Sequence, residues 1–193
     1  MMTPVRGTDA PLLPYAKWKN NGSTIVGGNG MGDTCNSLNT PFGLYIDNVE
    51  TVYEADSKNH RVIAFFSQPP SCKVVAGGHG PGKELNQLNQ PTDVIMDRST
   101  SMLVICDRFN LRVVRWPHLG GRRSVIILSA IECFGLTMDD RGSLYVSNSD
   151  KNEVRRFKSG KQQGEIVAGG NGIGQNLNQL NYPTFLFVDR DYS

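Results

Sequence analysis

The feature that most constrains this chain is internal repetition. The segment from Val74 to Trp116 carries a glycine-rich run, Gly77-Gly78-His79-Gly80-Pro81-Gly82, and then Asn86-Gln87-Leu88-Asn89-Gln90-Pro91. An apolar stretch ending at Asp97 follows, then a second ending at Asp107, and finally Asn110, Arg112 and Trp116. The same order of residue types begins at Gly27 and again at Gly169; Gly27 to Pro41, Gly77 to Pro91 and Gly169 to Pro183 are each 14 residues apart. Gly27 and Gly77 are 50 apart, whereas Gly77 and Gly169 are 92 apart, which is one full unit plus a shortened one of 42. In the shortened unit Cys133-Phe134-Gly135-Leu136-Thr137-Met138-Asp139 replaces the Pro-headed segment, and Asn148 replaces the second Asp. A period of 40 to 50 residues with several short apolar runs per unit predicts a propeller blade, because a helical solenoid would space its apolar residues by three and four.

Each unit carries four strand signals. The first strands are expected over 43–47, 93–97, 135–139 and 185–189, the second over 51–55, 102–106 and 144–147, the third over 61–65, 112–116 and 153–157, and the fourth over 73–76, 124–128 and 165–168. The inner runs are almost continuously apolar, as expected of sheets buried on both faces between neighbouring blades. Proline at the head of an inner strand is tolerated because that residue need not donate to the ladder. The fold class is therefore all-β, a β-propeller of four-stranded antiparallel blades. The ring is incomplete: three full blades, two strands of a preceding blade (Tyr15 to Trp18 and Thr24 to Val26) and the first strand of a following one. Met1 to Pro14 reads as a disordered lead-in, and residues 15–193 as the partial propeller.

Composition sets the outer bounds. Of 193 residues, 38% are hydrophobic and the net charge is only +2, which fits a soluble globular domain with a core of its own. No apolar run approaches the ~20 residues of a membrane helix, so membrane insertion is not expected, and Met1 to Pro14 has no signal-peptide pattern. The charge is uneven, however: residues 108–161 hold 11 Lys and Arg against 5 Asp and Glu, leaving 9 against 13 elsewhere. Such asymmetry marks either a polyanion-binding face or solvated blade edges that discourage edge pairing.

The run Pro-x-Gly/Asp-apolar-x-apolar-Asp, a strand ending in Asp, and then Asn-x-Arg-Val-x-x-Phe/Trp resembles the NHL repeat, and the resemblance covers about residues 15–193. It implies a propeller, commonly six-bladed, that acts as a rigid disc whose loops recognise a protein or RNA. The reading that follows is a non-catalytic scaffold with no cofactor, binding a protein partner through the face that carries the Asp-x-x-Asn turns and the glycine loops. The residues proposed for that contact are Asn29, His60, His79, Arg108 and Asn171, since the first, second, third and fifth differ between otherwise faithful repeats. One alternative is RNA binding by the opposite, basic face: Arg115, Arg122, Arg123, Arg155, Arg156, Lys158 and Lys161. The other is an enzyme like the family's metal-dependent lyases or lactonases. His60, His79 and His118 match that poorly because they occupy three different repeat positions, and zinc needs converging ligands. The glycine loops are not phosphate loops, since Asn-x-Leu-Asn-x-Pro and not a helix follows them; glycine there supplies positive φ. The repeated acids read as turn caps, with Asp accepting local backbone N–H groups and Asn left-handed.

Two expectations concern association and cysteine pairing. Incomplete blades leave open sheet edges, which predicts self-association. Four cysteines allow three pairings. Cys35 in a glycine loop and Cys72 in an opposite-face connection are expected to lie too far apart to bond. Cys106 ends a second strand and Cys133 heads the next inner strand at the same face, where a disulfide would replace the missing loop. The alternative is two unpaired thiols in apolar strands. The disulfide would favour an extracellular setting, the thiols a cytoplasmic one.

Overall fold

The computed structural model describes residues 15, 17, 20–120 and 123–189. Three four-stranded antiparallel sheets follow one another along the chain, each in simple up-and-down order. Blade one is β1 (Pro41–Ile46), β2 (Val52–Asp56), β3 (Arg61–Ser67) and β4 (Pro70–Gly77). Blade two is β5 (Pro91–Asp97), β6 (Met102–Asp107), β7 (Arg112–Pro117) and β8 (Val125–Ser129). Blade three is β9 (Cys133–Met138), β10 (Leu144–Asn148), β11 (Glu153–Phe157) and β12 (Glu165–Gly169). Apart from single 3₁₀ turns at Ser57–Asn59 and Arg108–Asn110, no helix occurs among the described residues, so none is long and apolar enough to cross a membrane.

The lead-in lies outside the described residues, as do Ala16 and Trp18 of the strand expected at 15–18. Thr24 to Val26 and Phe185 to Asp189 were expected as strands, but neither pairs with a sheet. A strand is defined by its ladder, and among the described residues neither segment has one, although residues 184–186 pack against β9.

The core runs continuously through the blades. β5 and β6 are buried along nearly their whole length, from Thr92 to Asp97 and from Leu103 to Asp107. Tyr45, Ala64, Val94, Ile105, Leu136 and Val146 belong to one apolar cluster that ties all three sheets together. The inner strands approach so closely that a Cβ at Gly43 would lie 2.1 Å from Asp93 Oδ1, and one at Gly135 would lie 2.5 Å from the Thr184 carbonyl. Asp93 occupies the glycine position of blade two and uses its carboxylate to stitch the ring: its Oδ2 accepts the Leu136 N–H of blade three at 2.7 Å.

The cysteines require a correction. Cys35 and Cys72 are bonded, with Cα atoms 5.9 Å apart, rather than separated by the thickness of the disc. Cys72 is not in a connection but inside β4, because β3 and β4 close in a tight hairpin; and the glycine loop carrying Cys35 lies across the sheet of the blade it leads into, where Cys35, Leu38 and Cys72 cover Val52, Ile63 and Phe65. Cys106 and Cys133 are also joined, with Cα atoms 5.4 Å apart, linking blade two to blade three.

Candidate functional site

The face bearing the second-to-third-strand turns is organised by a repeated clasp. In blade one Asp56 accepts hydrogen bonds from the Asn39 N–H (2.7 Å), Asn59 Nδ2 (2.8 Å) and Arg61 Nε (2.8 Å). Arg61 then donates to the Asp33 and Thr34 carbonyls, at 2.6 and 2.8 Å, and Asn59 to the Gly32 carbonyl at 2.7 Å. Blade two repeats the arrangement with Asp107, Asn110 and Arg112, whose loop acceptors are the carbonyls of Gly82, Lys83 and Glu84. The clasp thus grips the incoming glycine loop. This corrects two expectations. The aspartates accept side chains three and five residues on and a backbone N–H brought from 17 or 18 residues before, not local backbone N–H groups. The left-handed residue is the one after the Asn position: His60 after Asn59, Leu111 after Asn110 and Asn152 after Lys151, with φ of 52°, 53° and 52°.

Blade three has no glycine loop to grip, and its clasp is rewritten to match. Glu153 stands in the arginine position and Asn148 in the aspartate position; Asn148 Nδ2 and Arg155 Nε both donate to Glu153 Oε1, at 3.0 and 2.8 Å. An arginine here would have no loop carbonyls to serve.

The proposed partner-binding residues are distributed among different jobs. The His60 Nδ1 accepts the Gln90 N–H at 3.1 Å, and Asn152 Oδ1 accepts the Tyr182 N–H at 2.7 Å, so both residues pin the approach to the next inner strand. Burial lowers the His60 pKa, favouring the neutral ring this bond requires. Asn29 and Asn171 brace their own loops through the Asn36 and Asn178 carbonyls, at 3.4 and 2.9 Å, while in blade two the brace is made by Gln87 to the His79 carbonyl.

Arg108 is placed differently. Its guanidinium lies 5.4, 5.2 and 5.6 Å from the ring centroids of Phe109, Phe134 and Tyr182, and it pairs with Glu132 at 2.7 Å and bonds the Tyr182 hydroxyl. Phe134 in turn meets Phe42 of blade one and Phe185, each at 5.5 Å, edge to face. Phe42 and Phe134 are the second residues of their inner strands, so this aromatic cluster sits where β1, β5 and β9 come together at the top of the disc. Phe109 is 49% exposed and Phe42 41%. The sequence named Arg108 but none of the rings; the available signal was an aromatic following the head residue of two inner strands.

On the opposite face the basic residues are partly neutralised. Arg115 pairs with Asp97 at 2.9 Å and Arg156 pairs with Glu165, while Arg155, expected on this face, is instead held by Glu153 in the blade-three clasp at 2.8 Å. Lys158 and Lys161 have no ion-pair partner among the described residues, Arg123 is exposed, and Arg122 lies outside the described residues. Among the described residues no three His, Cys, Asp or Glu side chains are grouped to hold a metal ion.

These sheets and their order define a β-propeller segment, and solved structures agree. The chain is similar to a streptogramin B lyase (13% identity, TM-score 0.58, covering 79% of this chain and 46% of the other). It is also similar to an auxiliary nutrient-binding protein from Bacteroides thetaiotaomicron (10%, 0.52, 75% and 41%). A third similar structure is a catalytically inactive virginiamycin B lyase from Staphylococcus aureus with quinupristin (15%, 0.51, 68% and 43%). The chain therefore spans less than half the length of these propellers, which include both an enzyme and a binding protein. No protein-family model matches the chain, and no curated protein matches it in sequence.

Proposed function

We propose that this chain is an NHL-type propeller segment that acts as a non-catalytic scaffold and binds a protein partner at the top of the disc. The observation that carries this reading is the Arg108-centred cluster. An arginine stacked among aromatic rings, several of them half exposed, has the composition of an interface hot spot, and Leu111 and Tyr182 beside it are also 48% and 46% exposed. The clasps support the reading by fixing the surrounding loops, so that little ordering remains to oppose binding. Two disulfides fit an oxidising, extracellular compartment.

A photo-crosslinking residue at Phe109 tests the proposal against the same residue at Val49, which is exposed in the β1–β2 turn at the other end of the disc. Adducts should form at 109, be competed by excess unmodified chain, and disappear in an Arg108→Ala background that melts as the parent does. Adducts of equal yield at both positions, or none at 109, would overturn the assignment.

A further inference from the structure

A second site lies on the opposite face, between blades two and three, where a cavity of about 180 Å³ opens under the β11–β12 turn. Its floor is apolar: Leu128 of blade two faces Met138, Leu144 and Phe157 of blade three. Met138, Leu144 and Phe157 are cross-strand partners in register, so they present one face of the sheet. The rim is cationic, formed by Arg115 together with Lys158 and Lys161. The two lysines, with Arg156, also border a wider, open hollow of about 570 Å³ that shares Lys158, Lys161 and Gln162 with the cavity.

The interface between blades one and two shows why this hollow exists. Trp116 occupies in blade two the position that Phe157 occupies in blade three, and it is fully buried. There the turn after β7 also folds back onto blade one, where Lys73 Nζ donates to the Leu119 carbonyl at 2.8 Å. Blade three has the smaller ring; its turn closes through the Lys161 N–H and the Lys158 carbonyl as the blade-two turn closes through the Gly120 N–H and the Pro117 carbonyl, so the difference between the interfaces lies in the side chains. Space that a tryptophan fills in one interface is left open in the next.

We infer that this cavity binds a small organic anion, a carboxylate carrying one ring-sized apolar body. The size follows from the volume, since an apolar cavity of about 150 Å³ accommodates benzene. The charge follows from the rim. Lys158 and Lys161 are unpaired among the described residues, and Arg115, though bonded to Asp97 through one NH2 group, has a buried Nε with no acceptor. A carboxylate reaching the rim while its ring rests on Leu144 and Phe157 meets donors and apolar surface at once, the usual composition of a small-molecule site.

Benzoate is the probe, titrated into the whole chain by calorimetry or by chemical-shift perturbation, with benzyl alcohol and acetate as the neutral and ring-free controls. Saturable benzoate binding is expected, at least about tenfold tighter than either control. The exposed double variant Lys158→Ala/Lys161→Ala should weaken it about tenfold without moving Tm, and Phe157→Trp, copying blade two, should abolish it. If Phe157→Trp fails to fold, the lysine variant still decides. Equal binding of benzyl alcohol, undiminished binding by the lysine variant, or no saturable benzoate binding would each overturn the inference.

Discussion

Glu54 is a carboxyl at a position where the other blades carry Ile105 and Val146. It is 3% exposed, and burial, followed by the nearby charges of Asp56 and Asp93, raises its pKa to about 8. A pKa raised above the unfolded value means the folded state holds the extra proton, so the associated stability is present below about pH 4.5 and is lost as pH rises to about 8, at up to ~1.4 kcal/mol per pH unit. Melting profiles should show Glu54→Gln flattening this decline; parallel profiles for variant and parent would refute the shift. His60 acts in the other direction. Its lowered pKa supplies stability above its unfolded value that is lost as pH falls through the folded one. Because Asn152 makes the equivalent bond with an amide, His60→Asn is expected to keep the contact and remove the acid-side loss in the same experiment.

At the level of the element, the clasps of blades one and two each depend on one buried ion pair. The Arg112 Nε lies 2.6 Å from Asp107, both side chains almost fully buried, and the same guanidinium supports three loop carbonyls. Arg112→Ala leaves a buried carboxylate and loop acceptors without donors, so chemical denaturation should show a loss of about 3 to 5 kcal/mol. A loss below 1 kcal/mol would mean the loop holds itself. The residues of the clasp were legible as a recurring Asp, Asn and Arg, but their partners were not: Asp33 and Lys83 lie 28 and 29 residues before the arginines that hold their carbonyls, and local turn chemistry gave no hint of them. The same blindness misplaced Cys35. Once its loop is laid across blade one, Cys35 and Cys72 stand where blade two has Leu85 and Ser124, and there the Ser124 N–H donates to the Leu85 carbonyl at 2.7 Å. A covalent bond in one blade occupies the place of a hydrogen bond in the next. For Cys106 and Cys133, separated by 27 residues, removing both sulfurs is expected to cost about 3 to 4 kcal/mol by the chain-entropy relation, read as a Tm difference between the oxidised parent and the variant that closes when both are reduced, since reductant also opens Cys35–Cys72 in each.

At the scale of the whole molecule, the blade count and strand order were readable because each repeat buries its faces only against its neighbours, so a pattern repeated along the chain becomes a pattern repeated in space. The contacts across the top were not readable, since nothing local links Phe42 to Phe134, 92 residues later. The same one-dimensional logic predicts how the outer blades behave. Leu88, in the loop between blades one and two, is fully buried against Gly77, whereas its counterpart after blade three, Leu180 against Gly169, is only half-buried, and Ile173 and Leu177 in that loop are exposed, as are Ile166 and Val167 on β12 and Phe187 beyond it. At the other end Leu44 and Ile25 are exposed in the same way. Such apolar surface beside unpaired strand edges is the arrangement that favours association. We therefore predict that this chain, purified as it stands, forms dimers or larger species whose mass in light scattering rises with concentration. Leu177→Lys together with Phe187→Lys should shift it toward monomer without lowering the stability of blade two. A parent chain that remains monomeric across a hundredfold range of concentration would show that these surfaces do not drive association.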